Sequence, residues 1–305
     1  MRALAVVGNV NVDLIMGPVT PWPAPGTEVL TAHDDLRPGG AAGNTGLAWA
    51  GLGVPYTIAS NIGDDILGGW LCHALSPQSD PWAITRASTT ISVGLTHPGD
   101  ERTFFTTPGH LPHLSWPQVK TQLMGFQGGV LLLCGSFLTD RLTSDYPAVF
   151  EWAARQNVDL ALDPGWPPQG WTEVVRAQAK GWLAHTRHLL VNEIEALHLS
   201  GTDQIEIALP ALLAMMPDGA VVVIKAGAQG AYARSARDTI HILAPNVPVI
   251  DTIGAGDIFN AGYLLALAQG ADLGAAVGAG VSLASRAIST SPRVYKTADI
   301  YAGVA

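Results

Sequence analysis

Apolar runs that do not alternate, each set apart by a helical stretch, constrain this chain more than any other feature. Leu4-Ala5-Val6-Val7, Val130-Leu131-Leu132-Leu133-Cys134 and Val221-Val222-Val223-Ile224 carry no polar residue on either face, and Asp159-Leu160-Ala161-Leu162-Asp163 is apolar between two acids. Ala148 to Arg155 and Ile258 to about Gln269 read as helices. Strands apolar on both faces must be covered on both sides, so the pattern predicts an α/β fold with a mostly parallel sheet between helical layers. The 305 residues, 48% hydrophobic and 13% charged, can bury a core of that size.

The rhythm breaks once. Ile91 to Thr96 and Arg102 to Thr106 are strands joined by His97-Pro98-Gly99-Asp100, a hairpin signal that predicts a separate flap. Pro18 to Pro25, with four prolines around Trp22, is a loop, and Thr27 to Leu36 reads as an exposed strand leading to Gly39-Gly40. With no internal repeat and no low-complexity linker, residues 1–305 are expected to form a single domain with a flap. At the N-terminus, Leu4 to Gly8 continues into Asn9-Val10-Asn11-Val12-Asp13-Leu14-Ile15, where polar and apolar residues alternate. That row reads either as a half-exposed edge strand or as a ligand-facing row at a strand end. Asn and Asp are poor strand formers, which favours the second reading.

Several function classes are excluded early. Sixteen basic against 25 acidic residues give a net charge of -9, with no Lys/Arg-rich run, which argues against a nucleic-acid partner. Cys72 and Cys134 fit no metal spacing and read as buried reduced thiols; His185 and His188 read as structural histidines rather than ligands. Leu4 to Val7 is too short for a signal peptide, and the glycines, Pro55 and asparagines of residues 38–63 disqualify that stretch as a membrane span, so a cytoplasmic protein is expected. No Gly-Lys pair occurs, which removes the P-loop, and neither a Gly-x-Gly-x-x-Gly at the first strand nor a His-Glu-x-x-His motif is present.

The chemistry concentrates in Val249-Ile250-Asp251-Thr252-Ile253-Gly254-Ala255-Gly256-Asp257-Ile258-Phe259-Asn260-Ala261-Gly262. Gly254 and Gly256 let the backbone turn sharply and present its N–H groups, and the following helix points its positive end at the same spot. An acid beside an anion-cradling turn suggests phosphoryl transfer, with the acid taking a proton from the attacking hydroxyl. The helix terminus is expected to lower the pKa of Asp257.

Asp251-Thr252-Ile253-Gly254-Ala255-Gly256-Asp257 resembles the second signature of the ribokinase-like carbohydrate kinases, the PfkB family. Gly39-Gly40 with Asn44 resembles the first signature, and Asn11 and Asp13 fit the family's N-terminal sugar-binding strand. Asn192-Glu193-Ile194-Glu195 is similar to its Asn-x-x-Glu motif, and Gly227-Ala228-Gln229-Gly230 to its nucleotide-binding glycine loop.

The resemblance implies a three-layer α/β/α ribokinase-like fold, with a small β-sheet lid built from about residues 14–37 and 91–106. It implies Asp257 as the base and the backbone of Gly254, Ala255 and Gly256 as the anion hole. Asn11, Asp13, Gly39, Gly40 and Asn44 would bind the sugar; Asn192, Glu195, Lys225, Gly227 and Gly230 would bind ATP. Glu195 would organise Mg²⁺ through water, and Asp251 would help hold a monovalent cation, K⁺ being the candidate. The competing reading of Asp251 is a turn-capping carboxylate.

Departures bear on the substrate. Ala41 follows the glycine pair where ribokinases carry a lysine, and no acid lies around Gly135-Ser136-Phe137. Asp163-Pro164-Gly165 matches only part of the Asp-x-Asn-x-Arg pattern of ketodeoxygluconate kinases and fructokinases, a branch that Lys225 also resembles. Arg102 reads either as a substrate contact or as a solvated lid residue. The resemblance thus implies an ATP-dependent kinase of a small sugar or sugar-like substrate, with dimer formation through the lid as a further expectation. Two other readings stay open: a nucleoside kinase of the same fold, with Trp22, Phe104 or Phe105 stacking on the base, and a catalytically silent binding regulator.

Overall fold

The computed structural model describes residues 1–98 and 102–295. In chain order it contains β1 (Leu4–Val7), β2 (Asn11–Gly17), β3 (His33–Gly39), α1 (Ala41–Leu52), β4 (Thr57–Ala59), β5 (Asn61–Gly63), α2 (Ile66–Leu75), β6 (Ala83–Thr85), β7 (Ile91–Thr96) and β8 (Arg102–Thr106). Next come α3 (Trp116–Gln122), β9 (Val130–Cys134), α4 (Asp140–Ser144), α5 (Tyr146–Arg155), β10 (Asp159–Asp163), α6 (Glu173–Leu183), β11 (His188–Asn192) and α7 (Glu193–Ser200). The chain continues with α8 (Ile205–Leu213), β12 (Val221–Lys225), β13 (Ala231–Arg234), β14 (Thr239–Ile242), α9 (Ala255–Ala268) and α10 (Leu273–Ile288).

The main sheet has the order β14-β13-β12-β11-β10-β9-β1-β4. Its pairs from β4 across to β12 are parallel, as the non-alternating runs predict, while β13 and β14 add an antiparallel edge. Alternate residues of one strand feed opposite cores. Val6, Leu132, Leu190 and Val223 pack with α1, α2, α9 and α10, whereas Val7, Leu131, Leu133, Leu189 and Val222 pack with α3, α5, α6, α7 and α8. The result is three layers, α/β/α.

A separate four-stranded sheet has the order β3-β2-β7-β8. The N-terminal apolar strand does not run on through Ile15. It ends at Val7, and β2 starts the second sheet at Asn11. Gly8 lies at the break, where an added methyl would fall 2.3 Å from the Cys134 carbonyl oxygen. The strand expected over Thr27 to Leu36 begins only at His33. The paired strands β7 and β8 fit the hairpin signal; Gly99 and Asp100 of its connection lie outside the described residues. Cys72 and Cys134 are free thiols. Among the described residues no helix is long and apolar enough to cross a membrane.

Candidate active site

The C-terminal ends of neighbouring parallel strands meet at one spot, the place where open α/β sheets put their ligands. β10 ends in Asp163, β11 in Asn192 and β12 in Lys225. A cavity of about 850 Å³ opens there, and Asp163, Asn192, Glu195 and Lys225 line it together with Gly254, Ala255, Gly256 and Asp257. Gly227 and Gly230 line the same cavity. Gly230 has φ 84°, and a methyl on it would run into the Ile242 carbonyl, so the hairpin itself demands a glycine there.

Asp257 is the third residue of α9, and Gly254 caps that helix at φ 73° in the left-handed region. α1 holds the turn from behind. Asn44 Nδ2 donates to Asp257 Oδ2 at 2.9 Å, Thr45 Oγ1 donates to the Asp257 carbonyl at 3.3 Å, and Trp49 Nε1 donates to the Ala261 carbonyl at 3.0 Å. Of the three residues expected to form the anion hole, Ala255 turns its N–H to the Thr252 carbonyl at 3.1 Å. Gly256 and Asp257 follow as the second and third helical residues, whose N–H groups have no partner within a helix.

Lys225 supplies charge beside the turn. Its Nζ donates to Asp163 Oδ2 at 2.7 Å and to Asn260 Oδ1 at 3.2 Å, and Asn260 Nδ2 donates to the same Asp163 oxygen at 2.6 Å. A methyl on Gly256 would touch Nζ at 3.4 Å. Burial works against this ammonium, but the charges of Asp163, Glu195 and Asp257 outweigh it and hold its pKa above the usual lysine range. It stays protonated.

For Asp257 the balance runs against the helix-terminus expectation. Burial and then the Asp163 charge push its pKa up to about 6, and the Asn44 hydrogen bond and Lys225 offset only part of that. A helix end contributes fractions of a charge at the surface, whereas desolvation penalises the whole carboxylate.

The N-terminal half of the expected site is differently placed. Asn9 Nδ2 donates to Asn11 Oδ1 at 3.2 Å, and Asn11 Nδ2 donates to Asp13 Oδ1 at 2.7 Å, a polar ladder with all three residues at 6% exposure or less. Gly39 and Gly40 sit against it: a methyl on Gly39 would fall 2.1 Å from Asp13 Oδ2, and one on Gly40 2.6 Å from Asn11 Oδ1. Burial raises the Asp13 pKa to about 6, against the opposing charge of Arg37. Asn9 and Ala41 reach the cavity wall. The structure thus puts Asn44 behind Asp257, and Asn11 and Asp13 beneath the glycine pair.

Glu195 and Asn192 form a reciprocal cap at the start of α7. The Asn192 side chain accepts from the Glu195 N–H at 2.8 Å, and Glu195 Oε2 accepts from the Asn192 N–H at 2.9 Å. Burial and then the Asp163 charge raise the Glu195 carboxyl above its ordinary range. Among the described residues no group of three or more His, Cys, Asp or Glu side chains is placed to hold a metal ion. Glu195 lines the cavity and commits only Oε2 to this cap, which fits Mg²⁺ held mainly by nucleotide phosphates and water.

Asp251 does not fit a monovalent cation. Its Oδ1 accepts from the Ile253 N–H at 2.9 Å, the turn-capping geometry, and its Oδ2 accepts from Arg37 and Arg293 at 2.6 Å each. Burial raises the Asp251 pKa, but these hydrogen bonds and guanidinium charges take it below the ordinary carboxylate value. The oxygen expected to meet an ion meets two fixed cations.

Two members of this cluster had weak sequence signals. Asn260 follows Asp257 by one helical turn, so spacing could have found it. Asp163 ends an apolar strand, as Lys225 does. Trp166 and Phe137, which wall the cavity, had no motif to mark them.

The model of the pfkB family of carbohydrate kinases matches residues 1–293. The ribokinase of Bacillus subtilis is 26% identical over 297 residues, covering 95% of this chain and 93% of that protein. The aminoimidazole riboside kinase of Salmonella typhimurium is 27% identical over 280 residues, 88% and 82% of the two chains. Among solved structures, a protein from Escherichia coli in complex with ATP and Mg²⁺ superposes with a TM-score of 0.78 at 20% identity, covering 95% of this chain and 94% of that one.

Proposed function

The chain belongs to the pfkB family of carbohydrate kinases, and from that premise we propose that it transfers the γ-phosphoryl group of ATP to a hydroxyl of a small sugar or sugar-like substrate. In this reading the acceptor oxygen attacks the γ-phosphorus as the bond to the departing ADP oxygen breaks. The hydroxyl proton passes to Asp257, and the charge on the transferring group is met by Gly254, by the Gly256 and Asp257 N–H groups and by the Lys225 ammonium. Phosphoryl transfer depends on positioning and charge stabilisation more than on a strong base. A carboxylate with a pKa near 6 is a better proton acceptor than an ordinary one and is still ionised at neutral pH.

The observation that carries the reading is the convergence of Asp257, its Asn44 hydrogen bond and Lys225 beside Gly256 on one cavity. Asn192, Glu195, Gly227 and Gly230 are the groups assigned to ATP, and Glu195 would orient the waters of a Mg²⁺ ion that would neutralise charge on the nucleotide phosphates. Asn9, Ala41 and the polar ladder of Asn11 and Asp13 under Gly39 and Gly40 are assigned to the sugar end. The small sheet of β3, β2, β7 and β8 is assigned as the lid. Asp257→Asn tests the assignment. Turnover should fall by about 10²- to 10⁴-fold, with MgATP affinity nearly unchanged; turnover close to that of the parent protein would remove Asp257 from this role.

A second reading, a nucleoside kinase of the same fold, is favoured by one observation. Phe137 and a half-exposed Trp166 line the cavity, aromatic faces on which a base could stack. Phosphorylation of a nucleoside in preference to every free sugar would select it.

A further inference from the structure

Asp251 stands between the small sheet and the turn that opens α9, and two distant arginines and its own turn meet on it. Arg37 comes from β3, Arg293 from the segment after α10, and Ile253 from the turn itself. Arg293 Nη2 donates to Asp251 Oδ2 at 2.6 Å and also to the Ile253 carbonyl, the last one before Gly254. Arg37 Nη1 donates to Asp251 Oδ2 at 2.6 Å and to Asp35 at 3.2 Å. The Arg293 and Arg37 side chains are 13% and 21% exposed, so water screens these pairs less than it screens surface pairs.

A small cation bridging the Asp251 carboxylate and a turn carbonyl would need the oxygens that Arg293 already occupies. It would also stand beside two guanidinium charges that cannot be deprotonated. The geometry points to Arg293 as a built-in replacement for a monovalent cation: a positioning residue that ties Asp251 to the Ile253 carbonyl and so holds the Gly254 turn without bound K⁺. A planar guanidinium suits this task because it donates to two acceptors at fixed angles and cannot dissociate. Arg37 adds a second cation on the same oxygen and connects the turn to the small sheet. The inference rests on the reading of that turn as the anion hole of a kinase.

The test compares K⁺ with tetramethylammonium at matched ionic strength. Affinity for the Mg²⁺ complex of a non-hydrolysable ATP analogue is measured by calorimetry, and ADP release with an accepted sugar is followed in parallel. The parent protein should differ by less than about twofold between the two salts. Arg293→Ala should lose about tenfold in affinity or more in tetramethylammonium, the loss expected for a removed charged hydrogen bond, and recover most of it in K⁺. Arg293→Lys, which keeps a fixed charge, should need K⁺ less than the alanine variant does. K⁺ rescue separates positioning from a general structural defect, which no cation would repair. Activation of the parent protein by about tenfold on adding K⁺ would overturn the inference, and so would an alanine variant indistinguishable from the parent in both salts. If the alanine variant does not fold, the salt response of the parent and lysine proteins still decides. Absence of turnover with every sugar, alongside the expected pattern of nucleotide affinity, would remove the kinase reading and leave Arg293 where it is assigned.

Discussion

At the scale of single residues, the behaviour of Asp257 is set by what surrounds it rather than by its place in a motif. Its pKa near 6 comes from burial and the Asp163 charge. If the ionised form is the base, kcat/KM of the free enzyme rises with pH through a midpoint near 6. Asn44→Ala removes a hydrogen bond that favours the ionised form, so the midpoint should move upward by about one unit, the size of a lost hydrogen bond to a charged group. A pH–rate profile of both proteins checks the direction; a downward move would contradict this account. The motif Asp251-Thr252-Ile253-Gly254-Ala255-Gly256-Asp257 marked Asp257 as the candidate base, but its pKa was not legible there. The shift depends on how deeply the fold buries the carboxylate and on the Asp163 charge beside it, neither of which local sequence reports. The same holds for Asp251, whose partners Arg37 and Arg293 lie near opposite ends of the chain.

Among the elements, α9 carries the residues assigned to the chemistry, and α1 fixes where Asp257 points. Gly254 at φ 73° needs a residue without a side chain, and a methyl there would fall 2.6 Å from Asn44 Nδ2. Gly254→Ala should therefore cost about 1–2 kcal/mol from the left-handed backbone alone, seen as a lower midpoint in thermal or urea unfolding. It should also lower turnover by about 10²-fold or more if the displaced turn misaims its N–H groups. An alanine variant with unchanged stability and rate would remove the turn from both roles. The turn and helix of this element were readable from its glycines, but the apolar stretch ahead of them does not form a strand: β14 ends at Ile242, and Val249 and Ile250 stand outside any strand, 50% and 56% exposed. The apolar strands were readable too, because burial on both faces leaves no alternation. The break between β1 and β2 was not, since it depends on Gly8 meeting the Cys134 carbonyl. Nor was the hydrogen bond to Asp257 from Asn44, a residue expected to bind the sugar, because it arises from α1 packing on α9.

For the whole molecule, the parallel sheet gathers Asp163, Asn192 and Lys225 at one end, while the small sheet reaches the same region through Arg37. The Arg37–Asp251 contact couples the position of the small sheet to the turn. That long-range contact was illegible in the sequence, where the hairpin, the exposed strand before the glycine pair and the expected lid segments marked the second sheet but not its tie to Asp251. Asn9, Ala41, Phe137 and Trp166, which line the cavity, belong to no motif that names a substrate.

The most direct measurement is ADP release from MgATP, coupled to a spectroscopic readout, across pentoses, hexoses and nucleosides. Acceptor-dependent release with at least one hydroxyl substrate, lost in Asp257→Asn, is the expected result. Release that ignores the acceptor, or no turnover with any member of the panel, would contradict it.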